Sequence, residues 1–176
     1  MALSSAFFEP LGYLAKRIGQ MRVLRLLASL DGFAHFAVVS ECARDVAFES
    51  DHIANRNLDR ANALAHDFTG SGKIEVLAYT QLSNKSYNLI INATAAGLSQ
   101  QLPPIPASLL DQAVVCYDMM YDINKATSFV EWSTSQGVKQ SFDGLGMLVE
   151  QAAEAFSLWR GVRPQTANLL RMLRTA

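Results

Sequence analysis

From residue 58 onward the chain alternates helical apolar spacing with short runs that are apolar almost throughout. Residues 58–68 put Leu58, Ala61, Leu64, Ala65 and Phe68 on one helical face, with Asn57 placed to cap the start and Gly70 just past the end. Residues 73–77 read as a short strand. Residues 88–93 (NLIINA) and 113–118 (AVVCYD) read as strands buried on both faces. A helix over 127–136 carries Phe129, Val130 and Trp132, and 138–142 is short and strand-like. A longer amphipathic helix over 145–159 sets Leu145, Leu148, Val149, Ala152, Ala155, Phe156 and Trp159 on one stripe. Gly161 and Pro164 end it, and a last helix runs to about residue 173. Strands that are apolar on both faces cannot front water, so helices must cover both sides of their sheet. The pattern therefore predicts an α/β fold of Rossmann-like, doubly wound parallel type. Residues 21–30 read as helical, whereas 33–50 fit no regular template.

Composition narrows the function classes. A chain of 176 residues suits a single domain with a sizeable core. A formal charge of −1 leaves no electrostatic footprint for nucleic acid or an anionic membrane. No apolar run nears the roughly 20 residues that span a bilayer, and the first nine residues lack the basic start of a signal peptide. The expected address is the cytoplasm. Two cysteines, Cys42 and Cys116, are too few for a disulfide framework and lack metal-ligand spacing. Cys116, inside an apolar run, reads as a small buried hydrophobe. His35, His52 and His66 are scattered without ligand spacing and read as surface or structural residues, and neither a nucleophile–base set nor a metal cluster emerges.

Three places could carry ligand chemistry. Asn55-Arg56-Asn57 lies between a short strand (51–54) and the helix from Leu58. A dinucleotide fold meets the adenosine ribose at this loop, and arginine there can face a 2′-phosphate where an acid would face a hydroxyl. Arg56, with Arg60 a turn later, thus favours NADP over NAD; the same residues also read as an ordinary helix-capping turn. Asn92 to Gly97 leaves a buried strand through small residues, which suits either close approach of a ligand or a tight strand exit. Gly144 and Gln151 are two helical turns apart and point the same way. Gly144 leaves room for a flat ring and Gln151 offers a donor and an acceptor, although a helix-starting glycine and a surface glutamine need no ligand. Met119 and Tyr121, two apart after a strand, share a side, where Tyr121 could bind a carboxylate or simply sit at an interface.

Together these motifs resemble the shikimate dehydrogenase family over residues 55–173. The run DGLGMLVEQAA (143–153), followed by Trp159 and Pro164, is its most specific part, and Asn55-Arg56-Asn57 matches the family's Asn-Arg-Thr segment. The family reduces 3-dehydroshikimate to shikimate with NADPH on the route to aromatic amino acids. The resemblance implies that Asn55, Arg56, Asn57 and Arg60 face the adenosine phosphate and that Thr94 and Ala95 line the dinucleotide cleft. It implies also that Met119 and Gly144 flank the nicotinamide, and that Tyr121 and Gln151 reach shikimate or a quinate-type substrate.

Two departures qualify it. The family's catalytic lysine and aspartate lie in an N-terminal substrate domain, which the chain is expected to lack, so no catalytic residue is assigned. Where the family has a glycine-rich phosphate turn after its first strand, the chain reads RLLASLDG (25–32), with bulky side chains where amides should cradle pyrophosphate. The expectation is one NADP-binding domain over 1–176 with an aberrant segment at 25–52, inactive alone. The alternatives are a non-catalytic NADP-binding or interaction module, or a vestigial product. Residues 8–14 (FEPLGYL) and 20–24 (QMRVL) also resemble the family's lead-in to its first strand, so a foreign block between matching stretches points to a disturbed reading frame. Translating the coding DNA for residues 25–52 in its other frames should yield a glycine-rich turn, and its absence from every frame would refute the idea.

Overall fold

The computed structural model describes residues 36–42, 48–67, 73–83, 85, 87, 89–94, 96, 101–113 and 115–175, all within one compact unit, Phe33–Ala176. The expected helix over 21–30, and with it Phe68, Gly70, Ala95 and His35, lies outside them. Six strands form one sheet: β1 (Phe36–Cys42), β2 (Phe48–Ala54), β3 (Ile74–Leu77), β4 (Leu89–Ala93), β5 (Val115–Asp118) and β6 (Gln140–Phe142). Among the described residues four α-helices accompany them: α1 (Leu58–Asp67), α2 (Ser128–Ser135), α3 (Leu145–Arg160) and α4 (Ala167–Thr175). The elements expected from residue 51 onward are all present, with ends shifted by a few residues at most.

Strand order is β3-β2-β1-β4-β5-β6, the order of a doubly wound dinucleotide-binding sheet. β2 pairs in parallel with β3, as do β4 with β5 and β5 with β6. β1, however, is antiparallel to both its neighbours. Five strands therefore run one way and the central one runs against them, so the expected all-parallel sheet is a mixed one. The defective first strand has a concrete form: its slot is filled, but by a strand that joins β2 as antiparallel neighbours do, through a short connection. Sequence periodicity missed β1 because its segment alternates too little to show a face.

β4 and β5 are buried on both sides, as their apolar runs require. Ile90 and Cys116 join Ala54, Leu77, Leu82, Tyr87, Leu109, Phe129 and Val138 in one cluster, while the alternate residues Ile53, Ile91 and Tyr117 are buried too. Trp132 packs against that cluster, its ring 5.8 Å from Phe129. Cys116 is a buried free thiol whose pKa burial pushes up to about 12, so it behaves as the small hydrophobe expected. His52 is structural: buried, it meets the Tyr87 hydroxyl at 2.9 Å and Glu75 at 3.1 Å.

α3 departs from its expected stripe. Leu145, Val149 and Ala153 are buried, one line at four-residue spacing, whereas Leu148, Phe156 and Trp159 are exposed, Trp159 by 82%. The helix presents two apolar lines roughly 70° apart and only one finds the body of the domain. Gly161 ends α3 in the left-handed conformation (φ +71°), donating its N–H to the Ser157 carbonyl at 2.8 Å, a stop that a side chain would strain.

The reversal is directly testable. Backbone nuclear Overhauser contacts should join Phe36 to Ala93 and Ser40 to Leu89, as the antiparallel register dictates. Contacts joining Phe36 to Leu89 would show a parallel strand and sink the assignment.

Candidate functional site

Parallel strands deliver their carboxyl ends to one edge of a sheet, and of the five that do so here four lead into expected site residues. β2 runs into Asn55, β4 into Thr94, β5 into Met119, and β6 into Asp143 and Gly144. Each expected site residue at those positions therefore stands within two residues of a strand end, on the edge where such sheets bind ligands. β1 contributes the opposite. Its amino end, Phe36, pairs with Ala93, and Ala37 pairs with Ala54, so its carboxyl end lies at the far edge. No turn following β1 can sit between Asn55 and Thr94, where a phosphate loop belongs.

At the β2 end the local chemistry is a capping turn with one loose group. The Asn57 N–H donates to Asn55 Oδ1 at 2.8 Å, and the Arg60 N–H donates to Asn57 Oδ1 at 3.1 Å, so Asn57 caps α1 as expected. Asn55 is buried, and its Nδ2 is the one buried side-chain polar atom left without a partner among the described residues. Such a donor is costly unless something meets it. Arg56 and Arg60 are exposed, and the Arg56 charge lies near enough to Tyr79 to offset part of the rise that burial imposes on its phenol.

The β4, β5 and β6 ends meet each other closely. Met119 donates its N–H to the Asn92 carbonyl at 2.9 Å, and Gly144 donates to the Met120 carbonyl at 2.9 Å. A Cβ on Gly144 would stand 2.2 Å from the Met119 carbonyl oxygen, so backbone meets backbone and only glycine fits. Thr94 is buried against Asn92, its hydroxyl 2.7 Å from Oδ1. The structure thus brings Thr94, Met119 and Gly144 together, holds Asn55, Asn57 and Arg60 in a separate turn, and leaves Tyr121 and Gln151 exposed at the rim. Ala95 lies outside the described residues.

Beneath these residues is a buried polar network that sequence reasoning passed over. Asp118 Oδ1 accepts from Asn92 Nδ2 at 3.0 Å and from the Met120 N–H at 3.1 Å, and Oδ2 accepts from the Thr127 hydroxyl at 2.6 Å. Burial raises the Asp118 pKa; the Thr127, Met120 and Asn92 hydrogen bonds pull it back, and nearby Asp143 adds to the rise. Asp143, also buried, accepts from the Leu145 N–H at 3.1 Å and pairs with Arg174. The available signal was an acid closing an apolar strand at Asp118 and an asparagine inside the run at Asn92. Among the described residues no group of three or more His, Cys, Asp or Glu could hold a metal ion, and no helix is long and apolar enough to cross a membrane.

Residues 144–171 match the family described as Shikimate 5'-dehydrogenase C-terminal domain. The chain is 47% identical over 122 residues to the shikimate dehydrogenase (NADP(+)) of Cellvibrio japonicus, a match covering 69% of this chain and 44% of that protein. It therefore spans less than half the length of the curated relatives it matches. Among solved structures it is similar to an Ael1 enzyme from Pseudomonas putida, with 41% identity and a TM-score of 0.64 over 69% of this chain and 44% of that one. It is similar also to shikimate 5-dehydrogenase from Thermus thermophilus, solved with NADP(H) and shikimate, with 29% identity and a TM-score of 0.58 over 70% and 45% of the two chains.

The Asp118 network yields a pH-dependent prediction. A carboxyl whose pKa is raised on folding binds its proton more tightly folded than unfolded, so its ionisation costs stability above that pKa and the cost fades as pH falls through it. Thr127→Val removes the Oδ2 donor and raises the pKa further. It should cost roughly 1.5–3 kcal/mol at neutral pH, the scale of a hydrogen bond to a charged group, and less on acidification. Denaturant unfolding at several pH values measures this, and a deficit independent of pH would contradict it.

Proposed function

We propose, for a chain that belongs to the shikimate dehydrogenase family through its C-terminal portion, that its retained chemistry is recognition of NADP(H) without turnover. Two ends of the dinucleotide are provided for and the middle is not. At the adenosine end, Asn55, Arg56, Asn57 and Arg60 form the recognition turn. The observation that carries the reading is the orphaned Asn55 Nδ2, a buried donor in the capping turn that also presents Arg56. A 2′-phosphate oxygen would meet it once the turn opens to admit one, and Arg56 and Arg60 supply charge-assisted hydrogen bonds at the amino end of α1, where the helix dipole also favours an anion. At the other end Thr94 lines the cleft, Met119 and Gly144 flank the nicotinamide, and Tyr121 and Gln151 face the substrate side.

The pyrophosphate does not fit. A reversed β1 takes away the strand-to-helix turn whose amides would hold it, and residues 25–32 offer no glycine-rich substitute. The two buried carboxylates at this edge are committed to structure, Asp118 to three donors and Asp143 to Leu145 and Arg174, so neither is poised to move a proton. General acid–base groups supply about 10²–10⁴-fold in rate, which this set of residues does not. The chain is read as a single NADP-binding domain over 1–176, aberrant at 25–52, without shikimate dehydrogenase activity of its own. A non-catalytic interaction module is the second reading, favoured by the exposed line Leu148, Phe156 and Trp159 on α3.

Titration with NADPH and NADH, followed by cofactor fluorescence, tests this. NADPH should bind in preference to NADH, and Arg56→Ala should weaken it about tenfold or more, as loss of a charge-assisted contact implies. Equal affinity for the two cofactors, or NADP-dependent oxidation of shikimate by the purified chain, would overturn the reading.

A further inference from the structure

α4 has no buried residue, yet its last turn reaches the centre of the site. The Arg174 guanidinium pairs through Nη2 with Asp143 Oδ1 and donates through Nη1 to the Asp122 carbonyl at 3.4 Å. Those two acceptors belong to different lips of the nicotinamide subsite. Asp122 closes the loop that follows β5 and carries Met119 and Tyr121. Asp143 opens the turn into α3, where its Oδ1 also accepts from the Leu145 N–H, and it precedes Gly144. The lips touch through one backbone hydrogen bond, Gly144 N–H to the Met120 carbonyl, with no side chain between them. β5 and β6 pair in register up to Tyr117 and Phe142, and beyond that last pair the seam is backbone alone, spanned from α4 by the Arg174 side chain.

We propose that Arg174 is a positioning residue whose forked guanidinium clamps the loop after β5 to the turn before α3, fixing the geometry of the subsite that takes the nicotinamide ring. The assignment of that subsite rests on the function proposed above; the clamp itself is a property of the chain without ligand. Three features support it. The Asp143 side chain is 4% exposed, so the acid end of the pair is out of solvent while Arg174 reaches it from the surface, 45% exposed. Two acceptors on separate segments call for a rigid fork, which arginine has and lysine lacks. The α3–α4 connection is braced independently by Arg163 on Glu150 and Glu154, which holds α4 where Arg174 can reach.

Amide hydrogen exchange on the full chain without cofactor decides the matter. Arg174→Ala should speed exchange at the Gly144 and Leu145 amides at least about tenfold, a local opening, while the Met119 amide, held by Asn92, changes less than about twofold. Arg174→Lys, able to pair with Asp143 but not to span both acceptors, should restore protection at Leu145 and not at Gly144. Faster exchange confined to residues 167–175, or full protection of Gly144 in the lysine variant, would overturn the proposal. If the alanine variant fails to fold, the lysine comparison carries the same decision. Loosened lips in a chain that also fails to bind NADPH would leave the clamp standing and remove the cofactor reading; NADPH binding with an unmoved Gly144 amide would do the reverse.

Discussion

Strand direction is the constraint on which this molecule turns. Apolar burial is indifferent to it: a strand with the right side chains fills a slot in a sheet equally well in either sense, and its hydrogen bonds are satisfied by antiparallel as by parallel neighbours. Ligand binding in a doubly wound sheet is not indifferent, because the site is assembled from the loops that leave the carboxyl ends of the strands. Reversing β1 keeps the order β3-β2-β1-β4-β5-β6 and sends one strand end to the wrong edge. Stability and function part company at that point. The core demands a strand between β2 and β4, and only the phosphate turn demands its direction.

The edge that remains is held by polar groups that cannot be left unmet. Asp118 is buried, so both its oxygens must find donors; Asn92, Met120 and Thr127 supply them and in doing so fasten the exit of β4 to that of β5 and to the start of α2. Asp143 repeats the arrangement one strand further on, tying β6 to α3 and α4. Neither carboxylate needs a ligand to explain it. Both explain why Met119 and Gly144 stand where a flat ring could lie against backbone.

Much of this was legible in the sequence and some was not, for identifiable reasons. The strands β4 and β5 were clear because LII and VCY cannot face water on either side. The cap at Asn57 was clear because an asparagine before a helical face has few other uses. The outer line of α3 misled, since Leu148, Phe156 and Trp159 have the same helical spacing as residues that are buried; periodicity reports what a face could cover, not what it does cover. β1 was invisible because its segment has neither apolar continuity nor clean alternation. Its direction is a further step removed, being fixed by pairing with two neighbours and by nothing local. Arg174 could not be found from sequence at all: its partners lie 31 and 52 residues away.

That last contrast separates the two ends of the site. The turn after β2 is local, its hydrogen bonds spanning two and three residues, so it forms wherever β2 leads into α1. The ring end is assembled from four distant segments and depends on long-range pairing to set its width. β1 touches both through its neighbours, yet the two ends do not depend on it alike. β2 and α1 need β1 only as a surface to pair with, which either direction provides. A ring held by the β4–β6 lips also needs the rest of its dinucleotide threaded past the first strand, which one direction forbids. If the turn after β2 takes the adenosine end as proposed, that is the part of the chemistry a reversed strand can leave intact.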